Sequence, residues 1–181
     1  MDKYTIFGNP INHSLSPKIH KYFAKQTGHL ISYEKVLAPR DNFEGYVRDF
    51  IFSGGRGFNV TVPFKIEAYN LSDKLTTHAK TAGAVNTVKI EDGKLYGHNT
   101  DGIGLVADLC KNLEQTVKDK DILVLGAGGA TKGILLPLLE QKPARILLAN
   151  RTKSKALDLA NNYSKFGKVC GFGLEQIKDK P

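Results

Sequence analysis

The sequence predicts an α/β protein with two parts: a mostly parallel sheet with helices on both faces, followed by part of a Rossmann-type dinucleotide-binding domain. Two observations support this prediction. From residue 1 to about residue 100, short apolar runs alternate with helical patterns, which is typical of βα units. Residues 121–149 then have the pattern of a buried strand, a glycine turn, a helix and a second buried strand. We place the boundary near residue 115, which gives domains of residues 1–115 and 116–181.

The first part is predicted to open with alternating strands and helices. In chain order these are strand 4–8, helix 17–27, strand 32–37, helix 42–52 and strand 57–61. A hairpin is expected over 86–99, because Asp92 and Gly93 suit a type I′ turn, in which both central residues have positive φ. We expect this hairpin to form an antiparallel edge of the sheet.

A further helix is predicted to follow, with Thr100 as its N-cap and an apolar stripe of Leu105, Leu109 and Leu113. The second part then continues with strand 121–125, helix 130–141, strand 145–149, helix 152–164 and strand 168–171. A complete fold of this type has about six strands, and about three are predicted here. We therefore expect a domain that is truncated on its C-terminal side.

The composition favours anionic small-molecule partners. The formal net charge is +8, but the basic residues are scattered, without the interleaved aromatic residues that nucleic-acid binding requires. Cys110 and Cys170 stand outside any CxxC pair or His cluster, which argues against a disulfide or a metal site and suits a reducing compartment. No apolar run approaches the roughly 20 residues that cross a bilayer. We expect a cytoplasmic monomer or homodimer with no nucleic-acid, membrane or metal partner.

A glycine turn after strand 121–125 predicts a cofactor site. The residues assigned to it are Gly126, Ala127, Gly128, Gly129 and Ala130. Gly126 suits the tight turn out of the strand, and Gly128 lets the backbone approach a pyrophosphate at the start of the next helix. Thr131 stands where the usual motif has its third glycine, and Gly133 is close enough to replace that glycine. A turn without a ligand is the alternative, but the flanking strands and helix favour a cofactor.

The end of the second strand indicates which cofactor binds. An NAD-binding protein has Asp or Glu about 20 residues beyond the glycines, on the ribose hydroxyls. Here Asn150 is followed by Arg151, Thr152 and, shortly after, Lys155. A guanidinium binds a 2′-phosphate in bidentate fashion, whereas a carboxylate would repel it. A solvated helix start is the alternative, but cations at that end oppose the helix dipole. We predict NADP rather than NAD, with these four residues in its site.

Six short motifs occur together in the chain. They are 12–17 (NHSLSP), 59–65 (NVTVPFK), 83–87 (GAVNT), 97–102 (GHNTDG), 126–130 (GAGGA) and 150–152 (NRT). In order and spacing they resemble the shikimate dehydrogenase family, from Tyr4 to the last residue. The resemblance implies an NADP-dependent oxidoreductase that reversibly reduces 3-dehydroshikimate to shikimate in aromatic amino-acid biosynthesis. It also implies further nicotinamide-binding segments in the second domain, so we expect this chain alone to be weak or inactive.

Ser14 and Ser16 are the predicted site for the carboxylate of the substrate. Pro17 restricts Ser16 to extended conformations, and alternate residues of an extended segment point the same way. Two hydroxyls on one side suit a carboxylate. The resemblance implies that the carboxylate of shikimate binds at these two serines. A helix cap is the alternative, and Ser16 can serve both purposes. His13 is interpreted as structural.

By resemblance, Lys65 and Asp101 are the catalytic pair, and both also bind substrate. A lysine whose pKa shifts on desolvation can exchange the proton of a secondary alcohol, and a carboxylate beside it balances its charge. Asn59, Thr61 and Asn86 are expected to bind ring hydroxyls, since amides and hydroxyls suit a polyol. The alternative for Asn59 and Asn86 is turn formation at strand ends, which is compatible with binding.

The residues leave alternatives open. A quinate-using relative is compatible with Ser14, Ser16 and Thr61, whereas Arg151 argues against an NAD-preferring one. A non-catalytic nucleotide-binding module would have no need of the predicted catalytic pair. A methyltransferase can share the glycine turn, but it would have an acid after the second strand to bind the ribose.

Overall fold

The computed structural model describes residues 1–179, which belong to two compact units. The first unit is Met1–Asn99, and the second begins at Thr100. The junction between the units thus comes before the helix that follows Thr100, whereas the sequence places the boundary at the far end of that helix, near residue 115. The limits 1–115 and 116–181 of the two functional domains stay a prediction.

The first unit contains one six-stranded sheet and four helices. The strands are β1 (Asp2–Gly8), β2 (Ile31–Leu37), β3 (Gly55–Val60), β4 (Lys74–Leu75), β5 (Thr87–Glu91) and β6 (Lys94–His98). The helices are α1 (Ser16–Thr27), α2 (Phe43–Phe52), α3 (Lys65–Leu71) and α4 (Thr77–Ala82). The strand order is β2-β1-β3-β5-β6-β4. Strand β5 is antiparallel to both neighbours and the other adjacent pairs are parallel, so the predicted mostly parallel sheet is confirmed.

The β5–β6 hairpin has the predicted turn but not the predicted place in the sheet. Asp92 and Gly93 have φ values of 51° and 70°, as a type I′ turn requires. Both strands are interior, because the two-residue strand β4 pairs in parallel with β6 and forms the edge. The expectation of an antiparallel edge is therefore wrong. A two-residue strand has no periodic pattern in the sequence, so its pairing is visible only in the folded chain.

Helices lie on both faces of this sheet, as predicted. The apolar core lies on one face, where Phe7 of β1 is fully buried and contacts Phe43 of α2 edge-on, at 5.7 Å between ring centroids. Burial of one such side chain contributes about 1.5–3 kcal/mol. On β2, Val36 packs in this core, and Tyr33, an odd number of residues away, points to the opposite face. There, His20 of α1 stacks on Tyr33.

The second unit contains a parallel sheet of three strands. Its elements are α5 (Asp101–Ala107), β7 (Asp121–Leu125), α6 (Gly129–Glu140), β8 (Arg145–Asn150), α7 (Lys153–Tyr163) and β9 (Val169–Gly173). The strands pair in the order β7-β8-β9, which is the arrangement of the first three strands of a Rossmann fold. Leu135 of α6 is fully buried in the same apolar core as Ile146 and Leu148 of β8. The predicted partial Rossmann domain is confirmed, with element ends within two residues of the predicted ones from β7 onward.

Helix α5 is shorter than predicted, and a π-helical segment over Asp108–Asn112 continues it. Leu105 and Leu109 pack against the core of the second unit, as the predicted stripe requires, but Leu113 is 56% exposed. A π turn contains more residues than an α turn, so a residue four positions after Leu109 leaves the stripe. Over residues 1–179, none of the helices has the length and apolar character needed to span a bilayer.

Candidate functional site

The predicted substrate residues of the first unit lie near the carboxyl ends of β1 and β3. They are Ser14, Ser16, Asn59, Thr61, Lys65 and Asn86. Backbone hydrogen bonds join these segments: the amide of Thr61 donates to the carbonyl of Phe7 at 2.9 Å, and the amide of Val60 donates to that of Asn86 at 2.9 Å. The carboxyl ends of parallel strands are where α/β proteins bind ligands, so the fold places these residues where a site is expected.

Ser14 and Ser16 are neighbours, but not for the predicted reason. Helix α1 begins at Ser16, so the extended conformation predicted for this residue is wrong. The Ser14 hydroxyl oxygen accepts the amide of Ser16 at 3.2 Å, and the two hydroxyl oxygens are 3.2 Å apart. The tight turn satisfies one of the amides that a helix start leaves without an intrahelical partner. It also brings two hydroxyls to one point, as a carboxylate site requires.

Asn59 has a side-chain amide that is fixed at both ends. Its Oδ1 accepts the hydroxyl of Tyr33 at 2.6 Å, and its Nδ2 donates to Thr87 Oγ1 at 3.0 Å and to the carbonyl of Asn86 at 3.3 Å. The Thr87 hydroxyl in turn donates to Asn86 Oδ1 at 3.0 Å. Asn59 and Asn86, predicted as separate hydroxyl-binding residues, are therefore parts of one hydrogen-bonded group.

Sequence reasoning missed three residues of this group: His20, Tyr33 and Thr87. The rings of His20 and Tyr33 stack at 4.2 Å with an interplanar angle of 11°. Burial lowers the pKa of His20, against the effect of its hydrogen bond with Asn59. Burial raises the pKa of Tyr33, against the effect of its hydrogen bond with Ser16. The spacing of Ser16 and His20, four residues apart on one helix face, was the signal available in the sequence.

Two half-buried histidines make the unfolding free energy depend on pH. Burial lowers the pKa of His20 and of His98 below the ordinary 6.5, and the charge of nearby His78 lowers that of His98 further. Below pH 6.5 the unfolded chain therefore binds more protons than the folded one. Their contribution to stability is full above this pH and is lost as pH falls toward the folded pKa values. We expect the urea concentration at the unfolding midpoint to decrease as the pH is lowered from about 7.5 to about 5.

The matched variants for this prediction are His20→Phe and His98→Gln, each of which removes one titrating group. Either variant should show a shallower pH dependence than the wild type, and the double variant the shallowest. An unfolding midpoint that is constant across this range, or that changes equally in all four proteins, would contradict the assignment.

Thr61 and Lys65 are positioned by the turn that leaves β3. The carbonyl of Thr61 accepts the amide of Phe64 at 3.0 Å, and the carbonyl of Lys65, the first residue of α3, accepts the amide of Val85 at 2.8 Å. The second bond holds Lys65 beside the residue that precedes Asn86. Asp101 is the first residue of α5, directly after the N-cap position of Thr100. Lys65 belongs to the first unit and Asp101 to the second, and their role as a catalytic pair stays a prediction.

The glycine turn of the second unit has the backbone that the motif predicts. Gly126 has a φ of 106°, which only glycine adopts readily, and its amide donates to the carbonyl of Ala149 at 2.7 Å. A Cβ on Gly128 or Gly129 would meet nothing within 4 Å, so the turn is open to a ligand. Thr131, in place of the third glycine, is buried and donates to the carbonyl of Gly126 at 2.9 Å.

Gly102 permits a close approach between α5 and α6. A Cβ on Gly102 of α5 would lie 2.6 Å from the carbonyl oxygen of Gly133 in α6. Such a distance leaves no room for a side chain at Gly102. The role predicted for Gly133 in packing the helix against the strand stays a prediction.

Asn150 connects the glycine turn to the segment that follows β8. Its Oδ1 accepts the amide of Ala127 at 3.2 Å, and its Nδ2 donates to the carbonyl of Thr152 at 2.9 Å. Arg151, Thr152 and Lys155 are exposed beside this connection. Thr152 occupies the N-cap position of α7 without a capping hydrogen bond from its side chain. Open amides at a helix start and an exposed guanidinium are the groups that bind the phosphates of a dinucleotide.

The two units define a class of α/β protein in which a mostly parallel six-stranded sheet is followed by a partial Rossmann domain. Two family models match the chain: the shikimate dehydrogenase substrate binding domain over residues 6–88, and shikimate / quinate 5-dehydrogenase over residues 108–178. The chain belongs to the shikimate dehydrogenase family. The family predicted from the six motifs is confirmed.

Curated relatives match nine tenths or more of the chain. Shikimate dehydrogenase (NADP(+)) of Ruthia magnifica subsp. Calyptogena magnifica is 58% identical over 181 residues, which are 100% of this chain and 68% of the relative. The enzyme of the same name from Herminiimonas arsenicoxydans is 55% identical over 163 residues, which are 90% of this chain and 60% of the relative. The chain therefore spans about two thirds of the length of the curated relatives it matches.

Solved structures have the same fold. An Ael1 enzyme from Pseudomonas putida has a TM-score of 0.93 and 38% identity, covering 99% of this chain and 66% of the other. Shikimate 5-dehydrogenase from Thermus thermophilus, in complex with NADP(H) and shikimate, has a TM-score of 0.84 and 32% identity, covering 94% of this chain and 63% of the other.

Proposed function

We propose that this protein is an NADP-dependent shikimate dehydrogenase, which reversibly reduces 3-dehydroshikimate to shikimate in aromatic amino-acid biosynthesis. The observation that carries the proposal is the row of hydroxyl and amide side chains at the carboxyl edge of the first sheet, running from Ser14 to Asn86. A small acid with several ring hydroxyls matches such a row. The names of the relatives, shikimate dehydrogenase (NADP(+)), agree with it.

In the proposed substrate site, each residue type has a role that its chemistry allows. Ser14 and Ser16 donate to the carboxylate of the substrate, while Asn59, Thr61 and Asn86 hydrogen-bond to its ring hydroxyls. Such groups give orientation, which lowers the barrier by fixing the reacting carbon. These five residues therefore determine which ring acid is accepted.

In the proposed cofactor site, the amides of 126–130 bind the pyrophosphate, and Asn150, Arg151, Thr152 and Lys155 surround the 2′-phosphate. The exposure of Arg151 and the open space at Gly128 and Gly129 fit this ligand. NADPH supplies the hydride when bound. In the reduction, the Lys65 ammonium gives a proton to the ketone oxygen, which becomes the alcohol, and Asp101 is the second residue proposed for catalysis and substrate binding. In the oxidation, neutral Lys65 takes that proton back.

A steady-state assay of the full-length gene product tests the proposal. We expect kcat/KM to be highest for shikimate with NADP, and lower when quinate replaces shikimate or NAD replaces NADP. Absence of shikimate oxidation with either cofactor would refute the proposed activity. Equal preference for the two cofactors would refute only the role given to Arg151. A cytoplasmic location and a monomeric or homodimeric state stay predictions.

A further inference from the structure

Tyr33 lies where contacts from four elements of the first unit meet. On one side, its ring stacks on His20 of α1, four residues after Ser16, whose hydroxyl is 3.2 Å from that of Ser14. On the other side, the phenol donates to Oδ1 of Asn59 at 2.6 Å. Hydrogen bonds continue from Asn59 through Thr87 to Asn86. Tyr33 thus connects the α1 side with the amides on the β3 and β5 side.

The ring of Tyr33 is itself fixed in place. It is half-buried on β2 and stacks against His20 of α1 at 4.2 Å between ring centroids. The backbone of Tyr33 pairs with Tyr4 in the register of β1 and β2. A phenol held by a strand on one side and by a stacked ring on the other has little freedom to move, so its oxygen defines a fixed point in the site.

The Tyr33 phenol and the Asn86 carbonyl together fix the Asn59 amide. A phenol has one hydrogen to donate, and here it goes to Oδ1. The Nδ2 then faces Thr87 and the carbonyl of Asn86. In the flipped orientation, Oδ1 would face that carbonyl, which has no hydrogen to give. The carbonyl thus sets which end of the amide faces β5, and the tyrosine hydroxyl holds the other end, Oδ1, in place.

We propose that Tyr33 is a positioning residue, which sets the distance and orientation between the carboxylate-binding serines and the hydroxyl-binding Asn59. The proposal rests on the proposed function, since it assumes that these residues hold a hydroxylated ring acid. Tyr33 acts through Asn59 on substrate affinity and on the choice between ring acids. Proton transfer to the substrate remains with Lys65.

The test is Tyr33→Phe in the full-length gene product. Phenylalanine keeps the ring and its stacking on His20 and removes only the hydroxyl. Loss of one hydrogen bond of this kind weakens binding by about tenfold at most. We expect KM for shikimate to rise by about tenfold, with kcat much less affected and KM for NADP unchanged. Tyr22→Phe is the matched control, because Tyr22 lies on α1 and is 61% exposed.

A double-mutant cycle with Asn59→Ala separates positioning from general damage. If Tyr33 acts through Asn59, Tyr33→Phe should raise KM for shikimate less in the Asn59→Ala background than in the wild type. Circular dichroism and KM for NADP report whether each variant is folded. An unchanged KM for shikimate in Tyr33→Phe, or full additivity in the cycle, would overturn the inference.

The two proposals fail in different ways. A wild-type protein that does not oxidise shikimate would overturn the proposed function and, with it, this inference. An active wild-type protein whose Tyr33→Phe variant binds shikimate equally well would overturn only the positioning role of Tyr33.

Discussion

Replacement of Lys65 by alanine in the full-length gene product should lower kcat for shikimate oxidation by about 10²- to 10⁴-fold, the usual contribution of a general acid or base. The alcohol oxygen must lose a proton as its carbon becomes a ketone, and alanine cannot accept it. KM for shikimate should change only modestly, because the serines and asparagines that hold the substrate stay in place. Initial rates of NADP reduction at saturating shikimate measure the effect.

The matched control is Lys80→Ala, which removes an exposed lysine from α4 of the same unit. This variant should keep wild-type turnover and thus shows that loss of one positive charge is not the cause. Added primary alkylamines should restore part of the turnover of Lys65→Ala, since they can occupy the space of the missing ammonium. A Lys65→Ala enzyme with wild-type turnover would remove Lys65 from the mechanism.

The elements of the second unit could be predicted closely, for reasons visible in the sequence. Strand β7 has the predicted bounds, because its apolar run is continuous and Gly126 marks its end. Its predicted burial is wrong: Ile122 and Val124 pack against the core of the second unit, whereas Leu123 and Leu125, which point to the opposite face, are exposed. Helix α5 was less predictable. Its apolar spacing is compatible with one long helix, and nothing in a periodic pattern distinguishes a π segment at Asp108–Asn112 from an α-helical turn.

The candidate substrate site could likewise be predicted only in part. The motifs include Ser14, Ser16 and Asn59 but not Tyr33, which reaches Asn59 only because β2 and β3 both pair with β1. The extended conformation predicted for Ser16 was wrong. The prediction used a local preference, the effect of Pro17 on the residue before it, and this preference is outweighed by the start of α1 at Ser16. Sequence periodicity and local conformational preferences carry no information about contacts between segments that are distant in the chain.

Replacement of Arg151 by serine should reverse the preference of the enzyme for NADP. A hydrogen bond to a charged group is worth about 1.5–3 kcal/mol, which corresponds to about 10- to 100-fold in affinity. We expect KM for NADP to rise by this factor and KM for NAD to stay nearly constant. The backbone conformation of this segment should stay unchanged, because the side chain of Asn150, not that of Arg151, connects it to the glycine turn. Steady-state rates with both cofactors at saturating shikimate give the two values.

The control Lys153→Ser tests whether position or charge alone matters, since Lys153 is an exposed cation two residues away. A general electrostatic attraction would weaken equally in both variants and would fade at high salt, because exposed charges are screened. A bidentate contact to the 2′-phosphate would be lost only with Arg151. An equal loss of affinity for NADP and NAD in Arg151→Ser would contradict the phosphate contact. It would indicate instead that the guanidinium stacks on the adenine, which both cofactors share.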